Sequence, residues 1–479
     1  DSLVMENLKK PVKLKLNLSF IESPILSDIF LEGIQEMDTL RSTINFNESS
    51  EKLSVNLNLP YINYQGNEIH GLFFDFNSEE TTAEFNLGFD HILAGPIDIA
   101  TTEISGQFLN KKLNVDLKAF KDEEEFFNST VHIDFEENGL YRLYVSPENL
   151  ILNGSSWSIL ENNEIVYQPN RLKITDFKLS REAQEIVIGD NFDEERTHVG
   201  IDFKNFKLSS ITSYLNPDES LASGNLSGKF IIIEPFTSKG LLSNLKIEDL
   251  KVVQVPIGNF KLQAEARSKD DYELNVSLKD GGIDFNMDGL YHTDAKESNV
   301  DFDFVLNTLE LNSLEQFAPD YLKDTEGEVK GEFKINGKLD HIDYAGFLAF
   351  KDAQFNPKTL NTIFKLKDER IDLKKGKVSL SNFTIQDEDG NKFTVNGSMG
   401  LEEFTNPKFN LSFDAKNFQV LNSTSEDNDL YYGKLIFDAS AKLSGDLDFP
   451  KIDLDLRVNG KSDLTYNVLE SRASIVCLL

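Results

Sequence analysis

The acidic stretch Asp387-Glu388-Asp389-Gly390-Asn391 has the residue types best suited to chemistry in this sequence. Its alternating oxygen-bearing side chains resemble part of a calcium loop, in which carboxylates and amide oxygens bind the ion. A complete twelve-residue loop ends with a glutamate that binds calcium through both carboxylate oxygens. The twelfth position here is Ser398, so we predict that the stretch forms a hairpin turn.

Other residues that could carry chemistry form no catalytic or metal-binding pattern. The six histidines (70, 91, 132, 198, 292 and 341) are scattered without metal-ligand spacing, which predicts surface histidines. Cys477 is the only cysteine, and the acidic runs 122–125 and 193–195 are typical of solvated loops. Nucleophile elbows, phosphate loops and paired-cysteine motifs are all missing from the sequence. An enzyme is therefore the least favoured class, and no cofactor is expected.

The elements that would position any site are β-strands with strict two-residue alternation. Apolar residues alternate with polar ones from Val12 to Phe20 and from Leu53 to Leu59, so each strand has one apolar face. Residues 23–36 could form a short helix or a loop. No helical pattern exceeds about three turns, and we expect about 30 strands, mostly antiparallel.

One pattern recurs along the chain and divides it into repeats. A strand, a short amphipathic segment ending near a proline, and glycine-punctuated strands follow one another in residues 301–355, with a turn expected at Asn336-Gly337. Gly224 and Gly228 recur as Gly327 and Gly331, and further correspondences keep the same order at similar offsets. Such drifting offsets indicate divergent repeats. We predict an N-terminal β-repeat section (1–198), two repeat units (199–301 and 302–408) and the start of another (409–479), all parts of one groove.

Composition limits the possible partners. The 479 residues carry a net charge of −33, which disfavours nucleic acid and anionic membrane surfaces because both would repel the chain. No apolar run is long enough to span a membrane as a helix. The chain begins at Asp1 and ends in a non-periodic stretch, 472–479, so we interpret it as a fragment.

The strand count and the one-sided patterning predict an all-β fold. A twisted open sheet of this many strands must curl, split or close, and it must turn its apolar face inward. Phe outnumbers Tyr by 37 to 13, with one Trp, whereas a membrane barrel needs Tyr and Trp girdles. A sandwich or an extended trough is therefore expected. The Phe and Leu rows by themselves favour a dry sandwich core over an open groove.

The modules resemble TamB proteins of the AsmA-like superfamily, in particular those of Bacteroidetes-type bacteria. The similarity rests on the glycine-punctuated modules, the region of Trp157, residues 390–397 and the segment 430–469. It implies an elongated U-shaped β-groove with an apolar interior that carries phospholipid across the periplasm. It also implies an inner-membrane anchor outside this fragment and an outer-membrane partner barrel of the BamA or TamA type. With this resemblance the open groove becomes the preferred interpretation.

The groove hypothesis identifies a set of inward-facing residues that would contact phospholipid acyl chains. These candidates are Leu113, Val115, Leu117, Ile283, Phe285, Met287, Phe302, Phe304, Leu306, Phe393, Val395, Phe409, Leu411, Phe413, Leu454 and Leu456. Two alternatives remain open. An assembly factor for outer-membrane β-barrels would pair its exposed sheet edges with client strands, and a repeat adhesin or spacer would have a closed, dry core.

Overall fold

Strict alternation along the chain produces antiparallel strands throughout the described residues. The computed structural model describes residues 11–23, 33–237, 240–266, 270–293, 298–339, 341–401 and 406–467. Within these ranges there are 36 strands and two short α-helices, and every strand pairing is antiparallel. The predicted all-β class is confirmed. The chain divides into two units, residues 1–254 and 255–479.

The first unit contains strands β1 to β22 and helix α1. Their bounds are β1 (Lys13–Phe20), β2 (Ile34–Met37), β3 (Leu40–Asn47), β4 (Lys52–Tyr64), β5 (Asn67–Glu79), β6 (Thr82–Phe89), β7 (His91–Ala94), β8 (Ile97–Ile99), β9 (Thr102–Leu109), β10 (Lys112–Lys121), β11 (Glu124–Phe135), β12 (Tyr141–Val145), β13 (Ile151–Leu152), β14 (Ser155–Ser156), β15 (Ser158–Ile159), β16 (Glu164–Gln168), β17 (Arg171–Thr175), β18 (Phe177–Arg181), β19 (Gln184–Gly189), β20 (His198–Lys207), α1 (Ser209–Thr212), β21 (Ala222–Ile233) and β22 (Gly240–Val252).

Two sheets meet within this first unit. One has the order β1-β3-β4-β5-β6-β9-β10-β11-β12-β16-β17, and the other runs β15-β18-β19-β20-β21-β22. Their apolar faces share a core that includes Trp157, which is 4% exposed and lies 5.9 Å from the Phe206 ring. Leu143 and Ile165 of the first sheet pack against this core. The segment around the single tryptophan is thus where the two sheets are joined.

The second unit contains strands β23 to β36 and helix α2, and its strands pair in chain order. Their bounds are β23 (Val255–Ala266), β24 (Asp271–Lys279), β25 (Ile283–Thr293), β26 (Ser298–Glu310), α2 (Leu311–Phe317), β27 (Leu322–Lys338), β28 (His341–Pro357), β29 (Phe364–Leu366), β30 (Arg370–Lys374), β31 (Lys377–Gln386), β32 (Lys392–Gly400), β33 (Lys408–Ser423), β34 (Tyr431–Gly445), β35 (Lys451–Val458) and β36 (Asp463–Tyr466).

The short amphipathic segments of the two repeats are helical, as the spacing predicts. Helix α1 follows Leu208 and helix α2 begins at Leu311, which occupy corresponding positions 103 residues apart. Leu311 is 9% exposed and belongs to the core of the second unit. Each helix therefore covers part of an apolar sheet face.

Several sequence expectations about strand ends are wrong. Asn336-Gly337 is not a turn, because both residues pair with Asp343 and Ile342 inside β27, where Gly337 has a φ of +120° that a side chain would strain. Strands β17 and β18 are separated at Asp176, whose φ is +45°, a break that the local sequence pattern does not reveal. Residues 23–36 were predicted to form a short helix or a loop, but strand β2 begins at Ile34, and residues 24–32 lie outside the described part. The residues 472–479 also lie outside it.

Candidate functional site

Strands β25, β26 and β27 bring several candidate residues onto one apolar face. Met287 lies directly opposite Phe304, and Phe304 lies opposite Phe333 on the next strand. The ring centroid of Phe304 lies 5.3 Å from that of Phe285 and 6.1 Å from that of Phe333. Such cross-strand aromatic pairs stabilise a sheet and leave their outer ring surfaces available.

The exposure of β26 follows the predicted alternation. Phe302, Phe304 and Leu306 are half-buried, whereas the side chains of Asp301 and Asp303 are 61% and 72% exposed and reach Lys334. One face of this strand is therefore apolar and partly buried, and the other is polar and exposed to solvent. We call the contiguous half-buried residues Phe285, Phe302, Phe304, Phe333 and Ile335 the open zone.

A second set of candidates lies on β32 and β33. Val395 pairs with Phe413, and the rings of Phe393 and Phe413 are 5.7 Å apart. These two strands also carry Phe409, which lies opposite Met399, and Leu411, which lies opposite Gly397. Apart from Val395, which is 6% exposed, these candidates are half-buried.

One hydrophobic cluster joins part of both sets. Its buried members include Leu311 of α2, Val329, Ala353, Phe383 and Val395. The candidates packed against these residues are Leu306, Phe393, Leu411 and Phe413. We call this cluster, together with the adjoining Phe418, the packed zone. Four of the candidates thus border a packed core, and Val395 lies within it.

The packed zone depends on β-bulges that the sequence analysis did not predict. Asn382 and Asn417 have φ values of +51° and +52°, and each lies in a β-bulge immediately before a buried phenylalanine. Phe383 and Phe418 are 8% and 3% exposed. In the first unit Asn205 precedes Phe206 in the same way, with a φ of +48°. The Asn-Phe dipeptide recurs at all three bulges but does not predict them by itself, because Asn45-Phe46 and Asn259-Phe260 lie in regularly paired strands.

Polar side chains on the neighbouring strand satisfy the backbone groups that the bulges free. The N–H of Asn382 donates to Asn396 Oδ1 at 2.7 Å, and that of Asn417 donates to Asp438 Oδ1 at 2.7 Å. Asn205 donates to Ser227 Oγ at 3.0 Å. Asn396, which the alternation predicts to be an outward polar residue, is therefore part of the bulge.

The remaining candidates of the second unit lie apart from the packed zone. Ile283 pairs with Leu309 next to α2 and is half-buried. Leu454 and Leu456 lie on β35 at the edge of the sheet and are 52% and 50% exposed. Leu454 pairs with Ala441, which pairs with Phe413, so the apolar face continues to this edge.

The three candidates of the first unit lie on β10. Leu113, Val115 and Leu117 are half-buried and lie opposite Ile133, Val131 and Ser129 of β11. The same face is closed a few residues further on, at Ala119, which is 2% exposed. There the segment that follows α1 crosses the sheet. Its Tyr214 ring lies 5.2 Å from Phe127.

The acidic stretch at 387–391 is a hairpin turn between β31 and β32, as predicted. Asp387 is 1% exposed, and its carboxylate accepts hydrogen bonds from Asn391 N at 2.8 Å and from Gln419 N at 2.9 Å. Within the described ranges no group of three or more His, Cys, Asp or Glu side chains is placed to hold a metal ion. The Asp387 carboxylate therefore stabilises the turn through hydrogen bonds.

One histidine expectation is wrong. His198 is 6% exposed, so it is not a surface residue; its Nε2 accepts from Phe192 N at 2.7 Å and its Nδ1 donates to Arg196 O at 2.7 Å. His70 and His91 lie directly opposite each other on β5 and β7, a pairing that their sequence spacing did not reveal. Both remain partly exposed beside Glu68 and Asp98.

Comparison with known families adds one match. The family model of the TamB C-terminal domain matches residues 381–476, which begin in β31 and include the exposed edge of the second unit. Proteins of that family take part in outer-membrane assembly or lipid transport. No curated protein and no solved structure matches the chain. In the part that the structure describes, every helix is too short or too polar to cross a membrane.

Proposed function

We propose that this chain, a TamB-like protein, is a section of a hydrophobic conduit that carries phospholipid between the inner and outer membranes. The observation that supports this function most directly is the open zone. Its aromatic rings contact one another across three strands but are only half-buried. Acyl chains can lie on an apolar face of this kind while the protein stays folded.

The energetics of lipid transfer require such a surface. Each methylene left in water costs about 0.8 kcal/mol. Two sixteen-carbon chains crossing an aqueous space would therefore face a barrier of about 25 kcal/mol. A continuous apolar face removes most of this barrier and leaves the headgroup in water. It needs no catalytic residue.

The packed zone complements the open zone in this proposal. The buried phenylalanines that follow the bulges, together with α2, hold the strands in a fixed register beside the half-buried rings. Interdigitated cores resist deformation. The sheet can therefore keep its apolar face presented even when no lipid covers it.

The location and partners belong to the same proposal. We infer that the protein lies in the periplasm, is anchored to the inner membrane and meets an outer-membrane barrel of the BamA or TamA type. Support comes from the TamB match, whose family spans the periplasm and associates with such barrels.

Photo-crosslinking tests the conduit most directly. A photoreactive residue replaces Phe304 in one variant and Val305 in a matched control, because Val305 is 36% exposed on the opposite face of the same strand. We expect phospholipid adducts at position 304 and few at 305, detected by mass spectrometry of protein purified from cells. Equal labelling at both positions, or none at 304 in lipid-replete membranes, would contradict the conduit.

A charge substitution provides the functional test. Phe304→Asp should block lipid transfer between donor and acceptor vesicles while the sheet still forms, whereas Asp303→Ser should have little effect. Loss of folding in Phe304→Asp, with no separable transfer defect, would indicate a packed core instead. A transfer defect in Asp303→Ser as large as that of Phe304→Asp would mean that the two faces are reversed.

A strand-pairing assembly factor is the alternative that one observation favours. Strand β35 is exposed along its whole length, with Ile452 and Val458 65% and 54% exposed, and it lies near the end of the sheet, where it pairs with β34. Exposed apolar edges are templates for another strand. Protein adducts from a photoreactive residue at Asp455, without lipid adducts at Phe304, would support this alternative.

A further inference from the structure

One segment of the first unit begins on one sheet and lies across the other. Helix α1 packs against β21, and the chain that follows it passes over strands β8 to β11 of the other sheet. We call residues 208–221 the strap. The N–H of Asp98 donates to Leu215 O at 2.8 Å, and Lys121 Nζ binds Asp218 Oδ1 at 2.7 Å. The strap therefore ties the two sheets of the first unit together.

The strap covers the continuation of the apolar face that carries the candidates of β10. Leu117 and Ala119 are two residues apart on this strand, so they share a face, and Ala119 lies directly opposite Phe127. Leu117 is half-buried, whereas Ala119 and Phe127 are 2% and 7% exposed. The ring centroid of Tyr214 lies 5.2 Å from that of Phe127. The apolar face thus becomes buried where the strap covers it.

Polar groups hold the strap in place. Its two fully buried side chains are those of Ser210 and Ser213, and Ser210 Oγ donates to Gln184 Oε1 at 3.4 Å. The hydroxyl of Tyr214 lies 3.3 Å from Thr102 Oγ1. When a segment lifts, water replaces hydrogen bonds of this kind, so each contributes little net free energy. The polar contacts of the strap therefore oppose its opening only weakly.

The corresponding helix of the second unit is held differently. Helix α2 buries Leu311 in the packed zone. In α1 only Ser210 is buried, Ile211 is 51% exposed, and Leu208 before the helix is half-buried. Exposing a buried leucine to water costs hydrophobic free energy, whereas exposing a serine does not. Helix α1 and the strap can therefore leave their sheet at lower cost than α2.

We propose that the strap is a lid that acyl chains displace, so that a lipid on the first unit takes the place of Tyr214 on Phe127. Lifting the strap uncovers an apolar face, and exposure of this face to water keeps the strap closed in the absence of lipid. An acyl chain on the same face removes that cost, so lipid shifts the equilibrium towards the open strap. The inference rests on the proposed function and adds a point at which lipid entry is controlled.

A cleavable cross-link between the strap and β10 tests the lid. Lys121→Cys/Asp218→Cys places two thiols at an exposed ion pair, and Cys477→Ser removes the native thiol. Dithiobismaleimidoethane locks the strap, and dithiothreitol releases it. A photoreactive phenylalanine analogue in place of Phe127 then reports, by mass spectrometry, whether lipid from phosphatidylethanolamine and phosphatidylcholine vesicles reaches the covered face.

A second cross-link provides the matched control. Lys112→Cys/Asp134→Cys also replaces a lysine of β10 and its ion-pair partner, 3.1 Å away, but it joins two strands that are already paired. We expect lipid adducts at Phe127 to be lost in the locked strap, to return on release, and to be unaffected by the control cross-link. Equal adducts in the locked and released forms, or none in either, would overturn the lid.

Hydrogen exchange of the unmodified chain tests the same motion without a substitution in the core. The amide of Asp98 loses its acceptor, Leu215 O, when the strap lifts, so it should exchange faster when the vesicles are added. Amides of the paired strands β4 and β5 should keep their rates. Unchanged exchange at Asp98 in the presence of vesicles would overturn the lid.

The outcomes separate the lid from the conduit. Lipid adducts at Phe304, with none at Phe127 in the released form, would leave the conduit standing and identify the strap as a fixed tie between the sheets. Adducts at Phe127 that appear only on release, with none at Phe304, would support the lid and contradict the conduit.

Discussion

At the scale of single residues, Asp387 shows how a motif suited to metal binding can serve the fold. Its buried carboxylate accepts from Asn391 N, from Asn391 Nδ2 at 2.9 Å and from Gln419 N, which ties the β31–β32 turn to β33. A buried carboxylate is tolerated when donors surround it. Asp389 in the same turn is exposed.

Asp387→Ala should therefore destabilise the second unit by about 3 kcal/mol, because several buried donors lose their acceptor at once. Asp389→Ala should change stability by less than about 0.5 kcal/mol. Equilibrium urea unfolding followed by circular dichroism measures both. Similar midpoints for the two variants would show that the buried network contributes little.

The two zones of the apolar face also differ residue by residue. Phe418 is 3% exposed and contacts Phe364, Phe393 and Phe437 at centroid distances of 5.4 to 6.1 Å. Phe418→Ala should cost about 3–5 kcal/mol of unfolding free energy. Phe304→Ala should cost under about 2 kcal/mol, because its ring is only partly buried. Equal losses in urea unfolding would contradict a division into packed and open zones.

At the scale of elements, the β-bulges decide where the packed zone lies. A bulge adds one residue to a strand and bends it, and before Phe383 and Phe418 that residue is an asparagine with positive φ. Asparagine adopts this conformation at little cost because its short polar side chain tolerates the left-handed region. The phenylalanine that follows remains on the apolar face and is buried.

Substitutions at Asn382 test whether the β-bulge needs a residue that tolerates positive φ. Asn382→Val should destabilise the protein by about 1–3 kcal/mol, because a β-branched side chain strains the left-handed backbone. Asn382→Gly should be close to neutral, since glycine adopts positive φ freely and the backbone N–H still reaches Asn396. Thermal unfolding of both variants is the measurement, and a glycine variant as unstable as the valine variant would exclude backbone strain as the cause.

At the scale of the whole molecule, the net charge of −33 opposes folding through self-repulsion. The ion pairs of the described residues do not offset this, because their side chains are largely exposed, as in Lys52–Glu79 at 55% and 62%. Exposed pairs contribute little.

Raising sodium chloride from about 20 mM to about 500 mM should therefore increase the unfolding temperature, since the Debye length falls and the repulsion between like charges is screened. Differential scanning calorimetry at constant pH measures the shift. A lower unfolding temperature at high salt would mean that specific ion pairs outweigh the repulsion between like charges.

The sequence by itself determined the all-β class and, from the alternation of apolar and polar residues, which side chains share a face of a strand. Alternation depends only on neighbouring residues, so the order of residues alone assigns Phe302, Phe304 and Leu306 to one face. The amphipathic segments at 208–215 and 309–317 were equally readable, because a short helix between strands needs only its own periodicity and a stop signal. The turn predicted at Asn336-Gly337 is wrong. The dipeptide favours a turn locally, but pairing with β28 keeps it within strand β27.

Only the tertiary structure decided which residues of the apolar faces are buried and which are half-buried. Val395 and Phe304 are both inward on alternating strands, yet only Val395 lies among α2, Phe383 and the other buried residues of the packed zone. His70 and His91 likewise lie opposite each other only because β5 pairs with β7. Burial and cross-strand pairing depend on contacts between distant residues, and local periodicity carries no information about them.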